Sequence, residues 1–241
     1  MNDWIATDLD STLFHRSWAE KDAVAATWRF EGDQARKPSS WMRRETYCLL
    51  EVLGRSFTLV PVTARDQESF SRVEIRGINL RCPAVIANGA IILGWDGQPD
   101  PVWQNVILKV LSPWENKLED YCNTLTERSI GFARPRLVTG PEGIPAYLVA
   151  KAEPGWWFTS PGQALISEIN WLECRVEILG DELQVLPPGI SKLSATLEIQ
   201  NRFFAGRSPL LCMGDMPLDL EFMRLGRLLA TPTHSALDQL W

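Results

Sequence analysis

The sequence predicts an α/β protein: a parallel sheet covered by helices, interrupted by an inserted antiparallel α+β segment. Three observations carry this expectation. Short apolar runs alternate with helix-spaced segments before residue 94 and again after residue 189. Between those limits the texture changes to a helix and two alternating strands, repeated twice. Several of the apolar runs end in acids or hydroxyls, and open parallel sheets carry their reactive groups at such carboxyl ends.

Taken in order, residues 4 to 9 begin with buried-strand residues, Trp4, Ile5 and Ala6. "WMRRETYCLLEVLG" (41–54) has apolar residues at helical spacing and stops at Gly54. "FTLVPVTAR" reads as a second buried strand and "PAVIANGAIIL" as a third, ending near Asn88-Gly89; "RVEIRGINL" fits either element type. "SPWENKLEDYCNTLTER" predicts a helix with Ser112 as N-cap and Pro113 at its first position. "GFARPRLVTG" and "AYLVAKAEP" alternate as paired strands, "SPGQALISEINWL" predicts a helix, and "CRVEILGDELQVLPPG" a hairpin turning at Gly180-Asp181. "PLLCMGD" is a fourth strand of the host, followed by a helix from about Pro217, and "RLLAT" is a short fifth. The expected organisation is a Rossmann-like core of residues 1–94 and 189–241, with an α/β cap of residues 95–188.

Bulk properties set limits. The chain has 241 residues, 45% of them hydrophobic and 22% charged, which suits a globular protein with a sizeable core. A net charge of -6 argues against a general nucleic-acid-binding surface. No apolar window is long enough to span a bilayer, and "MNDWIATDLD" lacks the basic-then-apolar pattern of a secretory leader. The 5 cysteines are dispersed without C-x-x-C spacing, which argues against disulfides and structural zinc and for a cytoplasmic setting. The 11 tryptophans read mainly as core.

The strand ends gather chemistry. Asp8 and Asp10 follow the first strand, Thr63 the second, and Asp215 the fourth, with Asp219 one helical turn on. Lys192 stands where the chain re-enters the host. Clustered carboxylates repel one another unless a divalent cation joins them, and hard oxygen donors suit magnesium. A carboxylate can attack phosphorus, a second can exchange protons with the leaving oxygen and water, and a hydroxyl with an ammonium can hold phosphate oxygens. Singly, each residue has a plain structural reading: a helix cap, a strand threonine, a surface lysine.

Together they resemble a family. "DLDSTLF" matches the D-x-D-x-T motif of the haloacid dehalogenase superfamily of phosphatases, and "VTAR", "SK" (191–192) and "GDMPLD" resemble its remaining motifs in the right order. "ANGA" (87–90) resembles the segment found in the subgroup whose α/β cap precedes the motif-three lysine, which includes sucrose-phosphate, trehalose-phosphate and mannosylphosphoglycerate phosphatases and phosphomannomutase. The resemblance covers the whole chain. It implies that Asp8 is nucleophile and Mg2+ ligand, that Asp10 is general acid/base with its carbonyl on the metal, and that Thr63 and Lys192 hold the phosphate. It further implies Asp215 as a metal ligand and Asp219 as orienting a metal-bound water or Lys192. Leu218 replaces the Asn common in motif four, Ser11 replaces a usual Gly, and the sequence runs on less far after motif four than in many relatives.

The implied activity is hydrolysis of a small phosphorylated metabolite, most simply a sugar phosphate, with Asn88, Lys151, Arg134 and Arg136 as substrate contacts. A phosphomutase and a non-catalytic binding module remain as alternatives. His15 and His234 read as structural.

Overall fold

The computed structural model describes residues 3–31, 35–80 and 83–240. Two compact units emerge: Met1–Asp100 with Ser191–Trp241, and Pro101–Ile190. The first opens with β1 (Trp4–Thr7), β2 (Val24–Glu31), β3 (Ala35–Met42), α1 (Arg44–Gly54), β4 (Thr58–Pro61), α2 (Gln67–Ser71), β5 (Ala84–Ile86) and β6 (Ile91–Leu93). The second holds α3 (Pro101–Leu111), α4 (Glu115–Arg128), β7 (Ala133–Thr139), β8 (Pro145–Ala152), α5 (Ser160–Glu168), β9 (Arg175–Leu179) and β10 (Glu182–Leu186). The chain then completes the first unit with α6 (Lys192–Phe203), β11 (Leu211–Met213), α7 (Leu220–Met223) and β12 (Leu228–Ala230).

The first unit is built on a parallel sheet of order β12-β11-β1-β4. The central strand β1 is fully buried, as its unbroken apolar run requires. Its register with Leu211–Met213 on one side and Thr58–Pro61 on the other brings the segments after β1, β4 and β11 to one edge. Ile5, Leu9, Phe14, Leu50, Leu59, Ile86 and Met213 share the core beneath. Trp4, with its ring stacked on Phe204 at 4.6 Å, is buried too, whereas Trp95 is exposed.

The third apolar run forms a strand that stops just before Asn88-Gly89, near the expected end, and then reverses, which was not expected. It forms β5, a turn over Ala87–Gly89, and β6 folded back antiparallel. Ala87, Asn88 and Gly89 all have positive φ, at 50°, 52° and 98°. The turn is tight because the backbone before α6 runs against it: a Cβ on Gly89 would lie 2.2 Å from the Ser191 carbonyl oxygen. Only glycine combines that conformation with that approach.

Other differences have local causes. Residues 41 and 42 belong to β3, where Trp41 exchanges backbone hydrogen bonds with His15, so the helix starts at Arg44. The hairpin β2–β3 was not expected from the sequence. It is anchored by Trp28 N–H to Arg72 O and Glu74 N–H to Ala26 O, both 2.9 Å. Ser112 caps no helix: it lies in a 3-10 turn joining α3 to α4, and α3 itself buries Trp103, Ile107 and Leu111 at helical spacing. The helix expected from Pro217 is a 3-10 turn, Pro217–Asp219, leading into the short α7.

The second unit is an antiparallel sheet of order β7-β8-β10-β9. Leu148, Ala150, Leu183 and Val185 share one apolar cluster with Leu118 and Leu125 of α4, Leu165 of α5 and Trp157. Thr159 caps α5 by accepting from Gly162 N–H. Residues 95–100 belong to the first unit, since Asp100 N–H donates to Ile92 O at 2.8 Å.

Gly89→Ala should cost more than about 2 kcal/mol, because positive-φ strain of roughly 1–3 kcal/mol adds to a backbone collision. Denaturant unfolding measures it; a loss below about 0.5 kcal/mol would show that the turn relaxes freely.

Candidate active site

Beyond the end of β1, Asp8 N–H donates to Met213 O at 2.8 Å, carrying the β1–β11 pairing onward and fixing where the Asp8 side chain starts. The sequence then turns through Ser11, at φ 63°, whose N–H reaches Phe14 O. This turn places Thr12 beneath the acids. Its hydroxyl lies 2.9 Å from Asp215 Oδ1 and 3.2 Å from Asp8 Oδ2.

Lys192 opens α6. Ser191 is the cap, its hydroxyl accepting from Leu193 N–H and Ser194 N–H, and this sets the first turn that carries the lysine. Lys192 Nζ donates to Asp8 Oδ1 and to Asp219 Oδ1, each at 2.7 Å. The second Asp219 oxygen accepts from the N–H groups of Asp215 and Met216, at 3.2 and 3.1 Å. Asp219 is therefore fully engaged, and its role in the fold is to hold Lys192 and the loop after β11. Gly214 permits this: a Cβ there would meet Asp219 Cβ at 2.6 Å.

Asp8, Asp215 and Asp219 each offer an oxygen within 4.8 Å of the others, and all three are buried, as is Lys192. The electrostatics follow. Burial raises the Asp8 carboxyl well above its usual value, with Asp219 and Asp215 adding to the rise and Lys192 opposing it. Asp215 is pushed up to about 6, by burial first and by Asp219 second. Burial works to lower the Lys192 ammonium, but Asp219 and Asp8 outweigh it and the net shift is upward.

The remaining expected site residues are placed as follows. Thr63 is buried two residues beyond β4; its N–H donates to Val85 O and its hydroxyl accepts from Arg65 N–H at 3.2 Å. Asn88 is buried in the left-handed turn, with its N–H on Thr63 O at 3.1 Å. Asp10 does not join the buried acids: its carboxylate is half exposed and meets Arg65. Arg134 and Lys151, in the second unit, are cross-strand neighbours on β7 and β8. They line a cleft of about 470 Å³ with Phe132, Glu153 and Asp181. Arg136 is exposed on β7, paired in register with Val149. His15 contacts Ser17 through Nδ1 at 2.6 Å, and His234 sits in a turn closed by Asp238. Two residues beside the acids, Thr12 and Arg65, carried no expected role, although both lie inside quoted motifs.

Family models and curated sequences give no match to the chain. Solved structures do. The sucrose-phosphatase of Synechocystis sp. PCC6803, determined in complex with sucrose and phosphate, is 18% identical with a TM-score of 0.58, covering 100% of this chain and 96% of that one. The C-terminal domain of C. albicans trehalose-6-phosphate phosphatase is 15% identical with a TM-score of 0.60, covering 92% and 73%. A haloacid dehalogenase-like hydrolase from Bacteroides thetaiotaomicron is 12% identical with a TM-score of 0.55, covering 96% and 94%. At these identities the likeness establishes the fold: an α/β Rossmann-like core with an inserted α+β unit. Among the described residues no helix is long and apolar enough to cross a membrane.

The raised Asp215 carboxyl has a consequence for stability without metal. An acid whose folded pKa lies near 6 rather than 3.8 destabilises the fold when ionised, and that cost fades as pH falls through 6 toward 4. Asp215→Asn should therefore raise the melting temperature of metal-free protein by several degrees near pH 7.5, since a tenfold change in proton affinity is about 1.4 kcal/mol and each kcal/mol is worth roughly 2–4 °C at this size. The gap should close by about pH 4. Identical melting near pH 7.5 would refute a strained acid.

Proposed function

We propose that this chain is a phosphomonoester hydrolase of the haloacid dehalogenase type, magnesium-dependent, working through an aspartyl phosphate on Asp8. The observation that carries the reading is the buried set at the strand ends: Asp8 held by Lys192, Asp215 tied to it through Thr12, and Asp219 behind. A binding module has no need to bury three acids around one lysine at a cost in desolvation.

The donor set fits magnesium. Asp219 accepts three hydrogen bonds, from Lys192 and two backbone N–H groups, whereas Asp8 accepts two and Asp215 one from Thr12, so Asp8 and Asp215 keep the greater acceptor capacity to face an ion. One or two carboxylates, with water and substrate oxygens completing an octahedron, is the usual Mg2+ arrangement. The bound ion supplies neutralisation of the phosphate and of the clustered acids.

The chain's own residues do the rest. An Asp8 oxygen attacks phosphorus, and the bond from phosphorus to the ester oxygen breaks. Asp10 gives that oxygen a proton and then takes one from the water that attacks the acyl phosphate, which frees inorganic phosphate and restores Asp8. Lys192 and Thr63 hold the phosphate oxygens. Lys192 also stabilises the ionised Asp8 that attack requires, against burial and two neighbouring acids. The solved neighbours whose names include sucrose and trehalose phosphates support a sugar phosphate as substrate. The second unit then serves as the substrate-selecting cap, with Lys151, Arg134 and Arg136 as its cations and Asn88 on the core side. Cys48, Cys122, Cys174 and Cys212, all free thiols, suit a cytoplasmic enzyme.

Asp8→Asn should lower turnover on the order of 10³-fold or more; activity within tenfold of the parent would remove Asp8 as nucleophile. A panel of phosphomonoesters should release phosphate with Mg2+, none in excess chelator, and little with Ca2+, whose looser sphere misplaces the reacting groups. Full activity in chelator would end the metal assignment. The paired cations Arg134 and Lys151 would also suit a second phosphate, so the panel includes a sugar bisphosphate: isomerisation of a monophosphate dependent on it would mark a mutase instead.

Lys151→Ala should raise KM for the preferred sugar phosphate and leave a small aryl phosphate nearly unchanged. Equal losses on both would assign the effect to folding.

A further inference from the structure

Arg65 lies in the segment after β4, two residues beyond Thr63, and it meets Asp10 head-on. Its Nε donates to Asp10 Oδ2 and its Nη2 to Asp10 Oδ1, each at 2.6 Å, the parallel two-point geometry in which a guanidinium fixes both position and plane of a carboxylate. The two partners are unequal. The Arg65 side chain is 17% exposed and the Asp10 side chain 51%. Arg65 is also anchored independently of Asp10: Nη1 donates to Ser69 O at 3.0 Å, and the guanidinium carbon lies 5.3 Å from the centre of the buried Phe14 ring. Its backbone N–H and C=O are taken by Thr63 Oγ1 and Ala87 N–H. Among the described residues, no other side chain bonds the Asp10 carboxylate. The arginine is the fixed member and the aspartate is the member being held.

A pair this exposed on one side adds little to stability, so its geometry calls for another purpose. We infer that Arg65 is a positioning residue: it sets the place and plane of the Asp10 carboxylate, which exchanges protons with the leaving oxygen and the attacking water. This rests on the phosphatase reading above. Phe14 links the two ends of the device, since its ring lies under Arg65 and its carbonyl closes the turn that carries Asp10.

Leaving-group chemistry tests it. An alkyl phosphate cannot expel its alkoxide without a proton from Asp10, whereas p-nitrophenyl phosphate expels a stable phenolate without one. kcat/KM reports the steps up to leaving-group departure. Arg65→Ala, assayed with Mg2+, should lower kcat/KM for a sugar phosphate roughly 30- to 100-fold, the scale of misplacing a catalytic group. For p-nitrophenyl phosphate the loss should stay within about threefold. In an Asp10→Asn background Arg65→Ala should add almost nothing, because the group it positions is gone. Millimolar guanidinium should partly restore Arg65→Ala on the sugar phosphate. Arg65→Lys keeps the charge and the stem over Phe14 but not the two-point contact, so it should show an intermediate loss confined to the alkyl ester.

Equal losses on both esters, additive losses in the double variant, or a lysine variant equal to the parent would overturn the positioning role while leaving Asp10 in place. Undiminished alkyl-ester activity in Asp10→Asn itself would overturn the reading of Asp10, and this inference with it, while Asp8 and the metal stand or fall by their own tests.

Discussion

The Lys192 ammonium, held between Asp8 and Asp219 at 2.7 Å on each side, is the contact on which the site depends. Three buried carboxylates within 4.8 Å of one another would otherwise repel strongly in a poorly solvated place. One buried cation cannot neutralise all three, and burial first, then the neighbouring acids, raise the Asp8 and Asp215 carboxyls. A second positive charge is the natural complement, and the two acids with fewer hydrogen bonds than Asp219 are the ones next to Thr12. The lysine's own position is set by packing: Ser191 caps its helix, and the turn at Gly89 presses against the Ser191 carbonyl. Two glycines, 89 and 214, thus decide whether α6 and Asp219 can come close enough to share one ammonium.

Much of this was legible in the sequence, for physical reasons. Strands buried on both faces are continuous apolar runs, so β1, β4 and β11 stood out, and parallel order brought their ends to one edge. The antiparallel hairpins of the second unit showed through alternation and a glycine turn at Gly180-Asp181. The hairpin β2–β3 did not show. Thr27 is buried there against Ser40, hydroxyl to hydroxyl at 2.6 Å, and such polar residues read as loop until the partner strand is known. The strand ending near Asn88-Gly89 was legible, but its antiparallel return over Ile91–Leu93 was not, because the reversal is made by three positive-φ residues, two of them not glycine.

At the site, identities were readable and directions were not. Asp8 and Asp10 are two apart in sequence, yet one is buried against a lysine and the other half exposed against an arginine. Spacing in a loop carries no rule for where a side chain points, unlike spacing in a helix or strand. Lys192 showed the same limit: alone it reads as a surface residue, and only its two carboxylate partners explain its burial.

The two crossing points of the inserted unit are fastened to the same helix. Ser191 caps the start of α6, and Arg202, near its end, grips Asp100 through two hydrogen bonds of 2.7 and 3.0 Å. Both residues that flank the insertion are thus fixed by contacts within the first unit. The carboxylates that hold Lys192 come from outside residues 101–190, so another module could be carried at the same two points without removing them.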